Sequence, residues 1–198
     1  MKNPFRVYAL SLVVLAFGTT AAYNYTQQSD INFYQGHRLF MHGNYRAAES
    51  FLRKSLDVYP SRTDALREIG YCYLWTGRHA QAIDSFEKVV REGRPREQDK
   101  RALANAYAWS RKYGDAEKLL RELIASTDKA VYKRRLARIY IWAKKYAEAK
   151  TLLEEVLKQD PSDVKAKAIL GAALLYSGEA NQAIEVLEGA LKEMKTQK

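Results

Sequence analysis

The chain of 198 residues is 47% hydrophobic and carries 33 lysines and arginines against 23 aspartates and glutamates, a formal charge of +10. Prolines (4) and glycines (10) are few, and Ala, Leu, Glu, Lys and Arg dominate beyond about residue 46, which argues for long helices and against many short strands. The single cysteine, Cys72, excludes an intramolecular disulfide, and the basic balance draws anionic partners unless it is only a solvated surface.

The first predicted element is an amino-terminal hydrophobic helix. Residues 1–28 open with Lys2 and Arg6, continue through the uncharged stretch Val7 to Phe17 and reach the small residues Gly18 to Ala22. Basic residues held on the cytoplasmic side, an apolar helix in the translocon and small residues before a cut after Ala22 make a secretory signal. The alternative is an uncleaved membrane anchor, although Val7 to Ala22 spans only about 24 Å as a helix against a hydrocarbon core of about 30 Å. A third reading is a buried helix of a cytoplasmic protein. Signal and anchor both send residues 29–198 out of the cytoplasm, either periplasmic or held at the inner membrane.

From residue 29 the chain repeats itself. Ala48, Ala82, Ala116, Ala149 and Ala183 stand 34, 34, 33 and 34 residues apart, which divides the chain into repeats at 29–62, 63–96, 97–129, 130–163 and 164–195. In the first, Gly36 and Leu39 precede the alanine, Leu52 follows it and Pro60 closes the repeat. The second has Gly70, Tyr73, Phe86 and Pro95 in that order, and the third Ala104, Tyr107 and Leu120. The fourth has Ala137, Tyr140, Leu153 and Pro161, and the fifth Gly171, Leu174 and Leu187. Leu66, Ile69, Gly70 and Tyr73 share one helical face, and Ala82, Ile83, Phe86 and Val89 share another. Each repeat therefore predicts two antiparallel helices. Gly70 and Ala82 lack bulk where the two approach, Gly77 stops the first and Pro95 cannot continue the second. Cys72, among apolar neighbours, is expected to be a buried structural thiol.

This pattern resembles the tetratricopeptide repeat, which runs Trp-x-x-Leu-Gly-x-x-Tyr, then Ala-x-x-x-Phe, then Pro over 34 residues. Ile69-Gly70-x-x-Tyr73, Ala82-x-x-x-Phe86 and Pro95 carry the resemblance, as do Leu170-Gly171 and Ala183-x-x-x-Leu187. It implies an all-α, right-handed superhelical solenoid of five helix pairs behind the amino-terminal hydrophobic helix. It also implies a concave groove, lined by the first helices, for an extended peptide or another protein's helix. The family's leading tryptophan is replaced by Asn32, Leu66, Lys100, Lys133 and Lys167.

The three tryptophans recur instead within one phrase, YLWTGRHAQA, YAWSRKYGDA and YIWAKKYAEA. Counting back in steps of four, which keeps to one helical stripe, gives Arg67, Tyr71, Trp75; Arg101, Asn105, Trp109; and Arg134, Arg138, Trp142. In a regular superhelix these would run as arginine and tryptophan rails inside the groove, suited to an acidic peptide or to the rings of an anionic sugar polymer. Packing of the tryptophans on neighbouring repeats, and plain solvation of the arginines, are the competing readings. Some family members clamp a terminal carboxylate with a basic, asparagine-containing groove, and Arg101 with Asn105 is similar in type to part of that clamp. The phrase also resembles repeats of periplasmic arrays in bacterial exopolysaccharide-export and outer-membrane machinery.

Catalysis needs a convergent set of groups that the sequence lacks. His37, His42 and His79 offer no metal spacing with Cys72, there is no glycine-rich phosphate loop or serine elbow, and Glu154 and Glu155 point about 100° apart on a helix. The expectation is a non-catalytic scaffold of the cell envelope without metal or cofactor, recruiting an envelope protein or acidic peptide segment. A module for an anionic polysaccharide is the alternative, and nucleic acid is not expected because the leader exports the domain. The last predicted helix, about Glu179 to Met194, shows Ile184, Leu187 and Leu191 on one side with no polar helix following. That side is an expected homodimer or partner face.

Overall fold

The computed structural model describes residues 4–92 and 95–196, except the side chains of residues 4–18, 21, 22, 24, 25 and 196. Lys2 lies outside the described residues, as do the side chains of Arg6, of Val7 to Phe17 and of Ala22, which carry the expected leader. The described residues form ten helices: α1 Pro4–Met41, α2 Tyr45–Val58, α3 Thr63–Trp75, α4 His79–Glu92, α5 Glu97–Trp109, α6 Tyr113–Thr127, α7 Ala130–Trp142, α8 Tyr146–Gln159, α9 Val164–Ser177 and α10 Ala180–Thr196. They pair as α1 with α2, α3 with α4, and so on to α9 with α10, one pair to each expected repeat. α1 runs unbroken past residue 28 into the first repeat. Among the described residues no helix is long and apolar enough to cross a membrane.

The chain forms two compact units that divide between residues 94 and 95. In the first, α2 packs on α3 and α1 touches α3; in the second, α6 packs on α7, α8 on α9 and α7 on α9. Leu52, Phe86 and Val89 fill the first core and Leu120, Leu136, Leu153 and Val156 the second, all fully buried.

One turn joins the two helices of every repeat. Gly43, Gly77, Arg111, Lys144 and Gly178 hold the same repeat position, with φ of 74, 76, 60, 61 and 89°. The N–H of the residue after each one reaches back five residues. Asn44 bonds to Leu39, Arg78 to Tyr73, Lys112 to Tyr107, Lys145 to Tyr140 and Glu179 to Leu174, at 2.9, 2.8, 2.8, 2.7 and 2.9 Å. This is the Schellman closure, which satisfies the last carbonyls of the first helix and needs a left-handed residue. Glycine meets that need without strain, whereas Arg111 and Lys144 carry a Cβ in a conformation that costs them about 1–2 kcal/mol.

The small residue of the first helix permits close approach. A Cβ on Gly70 would lie 2.9 Å from the ring of fully buried Phe86. Where the family keeps tryptophan, lysines run their stems along the helix pair and end on acids. Lys100 meets Glu122 of α6 at 3.3 Å and Lys167 meets Glu193 of α10 at 2.5 Å. Lys133, only 7% exposed, reaches Asp128 at 2.7 Å. The apolar stem takes part of the volume that an indole would fill, and the head escapes to a charge.

Polar clasps tie successive repeats together. Glu49 of α2 accepts from Arg78 at 2.5 Å and from Arg53 at 3.0 Å, and Arg53 donates to the Tyr73 hydroxyl at 2.8 Å. One unit further on, Glu117, Arg121, Tyr140 and Lys145 repeat the arrangement. Lys150 and Glu179, 2.5 Å apart, take the same two repeat positions as Glu49 and Arg78 with the signs exchanged.

Candidate partner-binding face

In the first unit the residues of the sequence stripe pack on their neighbours. Arg67 lies 2.6 Å from Asp64, one turn back on its own helix. The Tyr71 ring sits edge-on to Phe86 at 5.1 Å and tilted to Phe40 at 6.4 Å. Trp75 stacks on Tyr45 at 6.3 Å and 27°, yet keeps 59% of its surface exposed. Tyr176, at Trp75's position in the last repeat, stacks on Tyr146 in the same way at 6.2 Å and 16°. In these two repeats the aromatic at the end of the first helix lies on the residue that opens the preceding second helix and stays more than half exposed. Beside this stripe, His37 Nδ1 of α1 is 2.6 Å from Glu68, and burial pushes the fully buried Cys72 thiol up to about 12.

The second unit is arranged differently. Arg134 is bonded to Asp163, which is itself buried and caps α9 through the Ala166 N–H at 2.9 Å. Arg134 is thereby committed to the joint between the fourth and fifth repeats. Arg101 and Arg138 have no acidic partner within ion-pair distance among the described residues, and neither has Arg135, which the stripe omits. Arg135 Nη1 donates to Asn105 Oδ1 at 3.0 Å, and its Nε–H is buried without an acceptor. Burial first, and then the like charges of Arg101 and Arg138, hold the Arg135 guanidinium below its ordinary value. An unmet buried donor on a cation costs about 1–3 kcal/mol or more.

Two hollows flank this guanidinium. One, of 70 Å³ between α5 and α7, is bounded by Asn105, Trp109, Arg135, Arg138 and Trp142. The other, of 330 Å³ between α7 and α9, is lined by Val131, Ala168 and Ile169 together with Arg134, Arg135, Arg138 and Lys165. Trp109 and Trp142 are 44% and 43% exposed. The structure therefore joins Asn105, Trp109, Arg138 and Trp142 around Arg135, leaves Arg101 within its field and commits Arg134 elsewhere. Arg135 escapes a count in steps of four from Trp142, which lands on Arg138 and Arg134. The equally valid row Arg135, Arg138, Trp142, in steps of three and four, contains it. Among the described residues no group of histidine, cysteine, aspartate and glutamate is placed to hold a metal ion.

With this geometry in view, comparisons with known proteins agree on the repeat. Tetratricopeptide-repeat patterns match residues 35–97, 110–173 and 140–197. No curated protein matches the chain. Among solved structures, the MamA protein superposes with a TM-score of 0.74 at 20% identity, over 86% of this chain and 94% of that one. MamA of Desulfovibrio magneticus RS-1 gives 0.75 at 15% identity over 86% and 97%. YrrB, described as a TPR protein with an unusual peptide-binding site, gives 0.67 at 20% identity over 82% and 84%. At these identities the likeness is one of fold.

Proposed function

The chain belongs to the tetratricopeptide-repeat family, and from that premise we propose that it is a non-catalytic scaffold of the cell envelope that holds an acidic segment of a partner protein. The holding surface is the first-helix face of residues 95–196. One observation carries the reading: Arg101, Arg135 and Arg138 gather on that face with no carboxylate to pair with among the described residues, while the arginines at the repeat joints, Arg78, Arg121 and Arg134, are all paired. Guanidinium groups without a carboxylate at ion-pair distance, beside exposed indoles, favour a ligand with acidic and flat apolar groups in alternation. YrrB's described peptide site supports a peptide as that ligand. The half-exposed Trp109 and Trp142 rings favour a second reading, in which an anionic polysaccharide stacks there.

Charge reversal separates the two. Arg101→Glu with Arg138→Glu is compared with the unaltered protein for retention on an immobilised anionic glycan and for capture of a synthetic acidic peptide. Loss of peptide capture with glycan retention unchanged supports the scaffold; the opposite pattern sinks it. Envelope location rests on the order of basic, apolar and small residues over positions 1–22. Amino-terminal sequencing of the mature protein tests it: a start after Ala22 is expected of a cleaved signal, and recovery of an intact amino terminus from the soluble cytoplasmic fraction contradicts export.

A further inference from the structure

We propose that the 70 Å³ hollow between α5 and α7 is a binding site for a tetrahedral dianion of the phosphate or sulfate class, with Arg135 as its anchor. The site lies on the partner face proposed above and rests on that reading for its biological ligand.

The first ground is geometric. Asn105 fixes the Arg135 guanidinium through Nη1 and leaves the buried Nε–H without an acceptor. Arg138, one helical turn on, borders the same hollow and is exposed. An oxyanion seated in the hollow has the Arg135 and Arg138 guanidiniums and the Asn105 amide around it as donors, which a group with several acceptor oxygens serves better than one with two.

The second ground is charge. Arg135 feels Arg101 and Arg138 as like charges, and no described carboxylate lies within ion-pair distance of Arg135 or Arg138, while Arg101 has Glu97 in its field. A single carboxylate leaves at least one of the two guanidiniums bordering the hollow uncompensated, whereas a dianion matches both.

Size is the third. A water needs only about 10–15 Å³ of cavity volume, so the 70 Å³ hollow has room for a compact oxyanion. The adjoining 330 Å³ hollow, which shares Arg135 and Arg138 and adds Lys165, Val131 and Ile169, is placed for the molecule that bears the anion.

Calorimetric titration of the full chain with inorganic phosphate at pH 8 and constant ionic strength, against acetate, tests the proposal. One site per chain is expected, with phosphate about tenfold or more tighter than acetate. Arg135→Gln is expected to lose about tenfold, a loss of roughly 1.4 kcal/mol. Arg138→Gln, an exposed change that spares the fold, is expected to lose a similar amount. Lys118→Gln, which removes one exposed charge from α6, should bind within about twofold of the unaltered protein. O-phosphoserine and glucose 6-phosphate, titrated in parallel, separate a peptide source from a sugar source, and saturable binding of either supports the site. Equal weak responses to phosphate and acetate, or unaltered phosphate binding in both arginine variants, overturn it. If an acidic peptide still binds and weakens in Arg135→Gln while phosphate does not bind, the dianion site fails and the scaffold reading stands. If phosphate does not bind and the peptide is indifferent to both arginines, the two fail together.

Discussion

At the scale of single residues, the turn within each repeat makes the sharpest demand on the sequence. Three repeats answer it with glycine and two with Arg111 and Lys144 at φ of 60 and 61°. Arg111→Gly and Lys144→Gly are expected to raise unfolding free energy by about 0.5–1 kcal/mol each, because relief of left-handed strain exceeds the entropy that glycine adds to the unfolded chain. Gly77→Ala is expected to lower it by about 1 kcal/mol. Urea midpoints at constant slope measure all three. Gly77 was legible as a helix stop in the sequence. The equivalent role of Arg111 and Lys144 was not, since nothing in a basic side chain advertises a left-handed backbone. Arg135 was missed for a related reason: helix surfaces carry two side-chain rows, and the tryptophan phrase drew the count along only one.

Elements succeed or fail on how closely the paired helices approach. Gly70→Ala in α3 places a methyl group against the fully buried Phe86 ring and is expected to cost about 1–3 kcal/mol despite better helix propensity. Gly189→Ala in α10, where a Cβ meets nothing within 4 Å, is expected to stabilise by up to about 1 kcal/mol from propensity alone. Thermal melts of the pair show whether close approach, and not glycine as such, is what Gly70 provides. The clasps between repeats add a pH dependence. The hydrogen bond from Arg78, above all, holds Glu49 below its ordinary 4.5. At Glu117 burial opposes ionisation, but the Tyr140 and Arg121 hydrogen bonds and the Lys145 charge outweigh it. A carboxylate depressed by folding stabilises above its ordinary value, and that contribution fades as the pH falls through 4.5 and below. Unfolding free energy is therefore expected to decline from about pH 5 to pH 3, with a shallower slope in Glu49→Gln and Glu117→Gln. Burial, followed by Glu117, raises Tyr140 to about 12, so its contribution is lost as the pH climbs from 10 toward 12. Chemical denaturation across pH follows both arms. The helix pairs themselves were legible from the alanine period and the apolar rows. The clasps were not, because their partners lie about 20–30 residues apart and one pair exchanges its signs.

For the whole molecule, a formal charge of +10 says only that anions are attracted. Several arginines, among them Arg53, Arg78, Arg121 and Arg134, close joints between repeats, while Arg101, Arg135 and Arg138 have no carboxylate within ion-pair distance among the described residues. The stripe of Trp75, Trp109 and Trp142 was legible as a repeated feature. Whether each ring packs or binds was not, because both uses place an aromatic at the same helix end, and Trp75 on Tyr45 does the first while keeping surface for the second. The central claim, that the first-helix face of residues 95–196 is the binding face for an anionic partner, is tested most directly by titrating a fluorescein-labelled hexaglutamate peptide at about 0.15 M salt. Arg135→Glu with Arg138→Glu is compared with Arg121→Glu, which reverses a charge at a repeat joint. The account predicts binding at least about tenfold weaker in the double variant than in the Arg121 variant. Equal losses in the two, or none in either, would contradict it.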